Sequence, residues 1–417
     1  MAVVLKTFVM ESGERYCLLV DAESGMPLYY PNLYVTTQVR NKSLSYSAME
    51  SALTGISVLL RYFDEKKEDL EDRLRKGVLL ETNEIDAISD YCQINFRSKN
   101  SSEENSKNVI SFYGVHEFDE QVSFETKYVR LTIIANYLKW LSEQLVGTIN
   151  DTDSVDRIVE MVKRIKERRP VRKNRNSEND EKGLTIEQVD FLFEIFRPDS
   201  ELNPFQDKSV RKRNRLIFLL LYHLGIRGGE LLNIRIRDID FSKSQIVIVR
   251  RADEKDDTRK YQPLVKTLDR RMPLKDTLIK ELHEYVSKDR RKLPNAAKND
   301  FLFITHKSGP TQGQPLSKSA YKKVVQVVRM VSPILFNLTG HQLRHTWNEV
   351  FSERMDAMDE PKSQETQEKM RSYLMGWQQG SGTAATYNKR FLKKQAQEAA
   401  LKLQEGMVRT PKGIDNE

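Results

Sequence analysis

The sequence predicts a mainly α-helical protein with a small β-sheet, divided into two folded halves by an exposed linker. Three observations carry this reading. Apolar residues recur at steps of three and four through most of the chain, the period of a helix face. Short runs of strand type are confined to residues 1–42 and 245–305. Residues 170–182 hold no large apolar side chain except Val171, so they cannot contribute to a core. The length agrees, since 417 residues exceed what one ordinary core organises.

Residues 1–42 read as a small β element of unclear role. Two runs, 3–9 and 16–20, flank the turn-like 11–14, and a third run at 33–39 alternates more strictly. Helices fill residues 43–170. Ser47-Ala-Met-Glu50 is a capping-box pattern, and Met49, Leu53, Ile56, Leu60 and Phe63 then share one face. Leu131, Ile134, Leu138 and Leu141 mark a second strong helix that carries Trp140. The polar stretch 98–107 reads as a loop, and 153–169 as an amphipathic helix.

After the linker, 171–183, a new fold begins at Leu184. Thr185-Ile-Glu-Gln188 is another capping box, and an apolar helix over 210–224 should stop at Gly225. Strands are expected at 245–249, 264–274 and 301–305, around a charged loop at 250–260. Helices are expected at 318–331, 341–354, 364–375 and 395–404, the last with Ala396, Ala399, Ala400 and Leu403 on one side.

Composition removes several function classes. The longest apolar run, Ile217 to Leu221, is far short of the roughly 20 residues of a membrane span. Charged residues among the first 15 argue against a signal peptide. Two cysteines, Cys17 and Cys92, cannot make a disulfide framework and fit a reduced, cytoplasmic setting. Lys and Arg number 68 against 60 Asp and Glu, a net charge of +8. That excess permits nucleic-acid binding. Its distribution is more telling, because Lys163, Arg164, Lys166, Arg168, Arg169, Arg172, Lys173 and Arg175 crowd together with only Glu167 between them. By itself such a run is equally a solvated helix end.

Three segments carry groups suited to chemistry. His341-Gln-Leu-Arg-His345 sets two imidazoles four apart on a helix, as in a zinc hydrolase motif, but Gln342 stands where a general base is needed and Arg344 disfavours a metal. His341 and Arg344 can instead face one anion, and Thr339-Gly340 puts them at a helix N-terminus, where backbone N–H groups favour phosphate. Leu224-Gly-Ile-Arg227-Gly-Gly-Glu230 ends one helix and presents an arginine, the side chain fitted to bidentate phosphate contact, with Glu230 able to orient a basic neighbour. Gly376-Trp377 is followed by Tyr387, one of 16 tyrosines and unremarkable taken alone.

In order, however, Arg227, Lys266-Thr, His341-x-x-Arg344-His345, Gly376-Trp377 and Tyr387 resemble the tyrosine recombinase family, the phage-integrase class of site-specific DNA recombinases. The likeness covers about residues 185–392. Lys266-Thr-Leu-Asp-Arg-Arg-Met-Pro-Leu274 fits the family's Lys-Thr-x-x-x-Arg-x-Pro-Leu hairpin, with Lys255 and Lys260 as competitors for the lysine. Leu224 stands where the family often has Thr, Trp377 holds a position that is histidine in other members, and the step from Trp377 to Tyr387 is one residue longer than common.

The resemblance implies an α+β catalytic domain over 184–392, a helical core DNA-binding domain over 43–170, and a C-terminal helix and tail over 393–417. It implies that Tyr387 attacks a scissile phosphate and forms a 3′-phosphotyrosyl bond. Arg227 and Arg344 would clamp the non-bridging oxygens, Lys266 would protonate the leaving 5′-oxygen, His341 would carry a proton, Trp377 would donate its indole N–H, and Glu230 and His345 would support them. Neither metal, ATP nor another cofactor is required.

The implied partner is double-stranded DNA, gripped in part by the basic run, with four protomers joining two sites and a monomer or dimer when free. The family expectation is a bacterial, nucleoid-associated enzyme of a mobile element, for integration, excision or transposition, with partner recombinases or accessory factors left open. Alternatives are a type IB topoisomerase-like enzyme, which shares the constellation, and a catalytically silent DNA-binding relative.

Overall fold

The computed structural model describes residues 2–42, 45–96, 121–145, 152–171, 183–263, 267–360, 362–378 and 396–404 except 398. The fold is mostly helical with two small sheets. The chain forms two compact units, Met1–Glu178 and Asn179–Glu417, and the boundary falls inside the expected linker.

In the first unit, β1 (Val3–Val9) and β2 (Arg15–Asp21) pair antiparallel from Val3↔Asp21 to Val9↔Arg15. The hairpin shares one core with the helices that follow and is not a separate element. The third expected strand, 33–39, is helical instead. Helix α1 (Tyr29–Tyr34) runs on through a π turn, Val35–Val39. Local hydrogen bonds explain the difference: the hydroxyls of Thr36 and Thr37 donate to the carbonyls four residues back, and Asn32 bridges the main chain of Leu19 through both amide atoms. Val35 and Val39, four apart, are both buried.

Helix α2 (Tyr46–Glu65) starts one residue before the expected cap, because Ser45 takes the extended N-cap conformation and Ser47 lies inside the helix. Short helices α3 (Leu70–Arg75) and α4 (Thr82–Tyr91) lead to α5 (Phe124–Leu145) and α6 (Thr152–Glu167). Leu53 and Ile56 of α2, Leu131 and Ile134 of α5, and Ile158 and Ile165 of α6 meet in the core. At about 1.5–3 kcal/mol per fully buried aliphatic side chain, these stripes supply most of the unit's stability. The expected loop at 98–107 lies outside the described residues.

The second unit opens at α7 (Ile186–Ile195), where Thr185 accepts from Gln188 N–H and Gln188 accepts in return from Thr185 N–H. Helix α8 (Lys208–Leu224) is its apolar axis, with Ile217, Phe218, Leu220 and Leu221 fully buried. Gly225 ends α8 in the left-handed conformation, and any side chain there would strike Trp347 and Met375. Helix α9 (Gly228–Asn233) follows at once, then the antiparallel sheet β3 (Ile239–Asp240), β4 (Gln245–Ile248) and β5 (Arg270–Pro273).

Two expected strands fall short. Among the described residues of 264–274, only Arg270–Pro273 pairs in the sheet. Residues 301–305 make isolated bridges, Arg235↔Phe301 and Ile304↔Pro315; Phe301 and Ile304 fill a small core, and Leu302 and Phe303 enter the main one. Helices α10 (Asp276–Glu284), α11 (Lys318–Arg329), α12 (Gly340–Asp356) and α13 (Gln364–Met375) complete the unit. The described residues of 396–404 are helical and exposed. No described helix is long and apolar enough to cross a membrane.

Candidate functional site

Three breaks in the helical framework converge in the second unit: the α8–α9 turn with Arg227, the N-terminus of α12 with His341 and Arg344, and the C-terminus of α13 with Gly376 and Trp377. Arg344 ties them together. It is 1% exposed; its Nη1 donates to the Gly225 carbonyl at 2.8 Å and its Nη2 to the Met375 carbonyl at 2.9 Å. Its guanidinium also lies 5.4 Å from the centre of the buried Trp377 ring. An arginine suits this place because its planar fork reaches two carbonyls while staying charged.

Beneath the arginines sits a carboxylate. Glu230 is 1% exposed and accepts from Arg227 N–H at 2.8 Å, from Arg270 at 3.0 Å and from the Thr267 hydroxyl. Burial pushes its pKa up, but Arg270, Thr267 and the Arg227 N–H together hold it below the usual carboxylate range. Glu230 therefore stays ionised. It lies 3.8 Å from Arg227 Nη1 and 3.9 Å from Arg344 Nη1. Arg227 Nη1 is buried with no hydrogen-bond partner.

The two imidazoles cap this group. His341 is exposed and meets His345 edge-on, ring centres 4.6 Å apart. Partial burial, Arg227 and Arg344, in that order, hold the His341 pKa below its ordinary value, so the ring is neutral at neutral pH. Among the described residues, no group of three or more His, Cys, Asp or Glu is placed to hold a metal ion.

Lys266 and Tyr387 lie outside the described residues, as do Arg172, Lys173 and Arg175. The chain beyond Lys266 is fixed at the site by the Thr267–Glu230 bond and by Leu268 N–H, which donates to the Gly376 carbonyl at 2.9 Å. Gly376 is left-handed, and a side chain there would strike Thr267 and Arg270. The competing lysines, Lys255 and Lys260, are exposed. In the first unit Arg164 pairs with Glu160 and Arg168 with Asp86, and Arg169 lies 4.8 Å from the Tyr128 ring. Lys163 and Lys166 extend from the same helix.

Sequence reasoning missed Arg270, and it named Thr267 only as part of the hairpin pattern, without a role. The hairpin pattern drew attention to Arg271, which is exposed and donates to Gln245. Strand alternation would have found the other arginine, since Arg270 and Met272 share the inward face of β5.

Residues 184–359 match the model of the phage integrase family. The XerC-like tyrosine recombinase of Caldanaerobacter subterraneus subsp. tengcongensis is 29% identical over 190 residues, 41% of this chain and 46% of that protein. Tyrosine recombinase XerA of Pyrococcus horikoshii is 29% identical over 149 residues, 36% of this chain and 44% of that protein. The matches span somewhat under half the length of these relatives. A crystal structure of the XerH site-specific recombinase bound to its difH substrate, a pre-cleavage complex, aligns with a TM-score of 0.50 at 14% identity, over 90% of this chain and 89% of that one. Residues 184–359 thus carry a phage integrase domain, and the curated proteins this part of the chain resembles are tyrosine recombinases.

Proposed function

We propose that the chain is a site-specific DNA recombinase that cuts and rejoins duplex DNA through a 3′-phosphotyrosyl bond to Tyr387. The observation that carries this is the meeting of Arg227, His341 and Arg344 over the buried Glu230–Arg270 pair, in a domain that matches the phage integrase family. Cleavage of a phosphodiester builds negative charge on its non-bridging oxygens. Arginines fixed beforehand by carbonyls and a carboxylate stabilise that charge without reorganising. Glu230 keeps Arg227 at the site, and Trp377 closes the side occupied by Arg344.

The chemistry balances on protein groups alone. The Tyr387 oxygen bonds to phosphorus as its proton passes to neutral His341. The bond from phosphorus to the 5′-oxygen breaks, and Lys266 supplies that oxygen with a proton. The phosphotyrosyl diester conserves the bond energy, so a 5′-hydroxyl can reverse the step on the same or another strand without ATP. The first unit serves as the core DNA-binding domain, and the basic run beginning at Lys163 contacts phosphates, giving salt-dependent grip rather than sequence choice. In this reading the protomers work as a tetramer on two DNA sites, inside a bacterial cell, for a mobile element.

The test is trapping. The protein is expressed in a bacterial host, cells are lysed into detergent, and protein-linked DNA is recovered and sequenced alongside Tyr387→Phe. Adducts at a few sites in the parent and none in the variant are expected. Equal recovery from both would remove Tyr387 as the nucleophile.

A further inference from the structure

Helix α11 sends one aromatic ring into the site that no motif singles out. The Tyr321 ring lies between Gly228, which follows Arg227, and Gly340, which precedes His341. A Cβ built on Gly228 would come within 2.8 Å of a ring carbon, and one built on Gly340 would fall 1.9 Å from the phenolic oxygen. The ring and its oxygen fill the room left by two absent side chains. Gly340 opens α12 in ordinary helical backbone, so Tyr321, not backbone strain, is what excludes a side chain there. The phenolic oxygen is buried with no hydrogen-bond partner. Leaving a buried hydroxyl unsatisfied costs about 1–3 kcal/mol, so a tyrosine here is not the choice stability alone would make. Burial raises its pKa, which keeps it a neutral phenol rather than a rival nucleophile.

We propose that Tyr321 is a positioning residue, a spacer that fixes the separation between the Arg227 turn and the His341–Arg344 helix and so sets the geometry of the phosphate clamp. The role rests on the recombinase reading, but its physical content does not. Among the described residues His341 is faced by Arg227 from the α8–α9 turn and by Arg344 and His345 from its own helix, with Glu230 on α9 balancing Arg227. If Tyr321 holds Arg227 close, shortening it lets Arg227 withdraw, and His341 then binds a proton more readily.

The first readout is the His341 titration in the full-length protein, followed by NMR of the imidazole C–H, which needs no DNA. Tyr321→Leu should raise the His341 pKa by several tenths of a unit, and Tyr321→Phe, which keeps the ring, should restore it toward the parent value. The second readout is a thermal-melting cycle on Gly340. Gly340→Ala alone should lower Tm, and adding Tyr321→Phe should recover most of the loss, because only the oxygen occupies the new methyl's place. An unchanged His341 pKa in Tyr321→Leu would overturn the proposal, and so would additive melting shifts in the cycle.

On DNA sites recovered by trapping, Tyr321→Leu should cleave at least tenfold more slowly with retained binding, and its acid limb should move to higher pH. A loss in Tyr321→Phe equal to that in Tyr321→Leu would make the hydroxyl a substrate contact and sink the spacer role. Absence of adducts in the parent would strike the recombinase reading, while the titration and melting results would still decide the spacer.

Discussion

Glu230 and Arg344 are the two side chains on which the site depends at the level of single residues. Both are 1% exposed and charged, which is tolerable only because each has partners. Glu230→Gln keeps the shape and removes the charge, leaving Arg270 buried without its counterion. Unfolding of the second unit by urea should show a loss of about 3–5 kcal/mol, the usual cost of breaking a buried pair from one side. Arg344→Ala should slow single-turnover DNA cleavage by at least 10²–10³-fold while a gel shift still reports binding, because it removes charge stabilisation of the transition state. Cleavage at the parent rate would show that the phosphate is held elsewhere. In the sequence Arg227, His341 and Arg344 stand out only through motifs that, taken in order, resemble the tyrosine recombinase family. The sequence did not announce Arg270, because a buried arginine on a four-residue strand looks like any surface charge until its carboxylate partner is seen across the fold.

At the level of elements, helices proved easier to read than strands. The step pattern of Leu131, Ile134, Leu138 and Leu141 identified a helix whose face is buried as expected, and Gly225 and Gly376 end their helices in the left-handed conformation. Residues 33–39 alternate like a strand, but threonine hydroxyls bonded to carbonyls one turn back hold them in helix. Residues 301–304 are apolar because Phe301 and Ile304 fill a small cluster while Leu302 and Phe303 enter the main core, not because they join a sheet. One element also carries an acid-sensitive joint. His306 accepts or donates between the Ser209 hydroxyl at 2.8 Å and the Tyr285 hydroxyl at 3.1 Å, and its ring is stacked on Tyr285. Burial, with Arg213 and Arg290 nearby, pushes its pKa down to about 3, against an opposing pull from Asp207. The folded state therefore stays unprotonated where the unfolded chain, near 6.5, takes up a proton. The His306 share of stability is full above pH 6.5 and falls as pH drops toward 3, by about 1.4 kcal/mol per pH unit. Urea titrations at pH 7 and pH 4.5 should show a steeper loss in the parent than in His306→Gln; parallel losses would refute the assignment.

At the level of the whole molecule, the chain divides into two compact units between Glu178 and Asn179, within the stretch expected as a linker. What the sequence could not give was the role of the N-terminal hairpin, which shares its core with the first unit. Nor did it separate basic residues that grip a partner from those that hold the fold. Arg164, Arg168 and Lys163 all sit in ion pairs within their own unit, which composition does not reveal. The central claim is that this framework presents Tyr387 to a DNA phosphate. The most direct measurement digests trapped adducts with nuclease and protease and locates the nucleotide-bearing peptide by mass spectrometry. The account predicts a nucleotide joined through its 3′-phosphate to Tyr387; a nucleotide on any other side chain, or one joined through its 5′-phosphate, would contradict it.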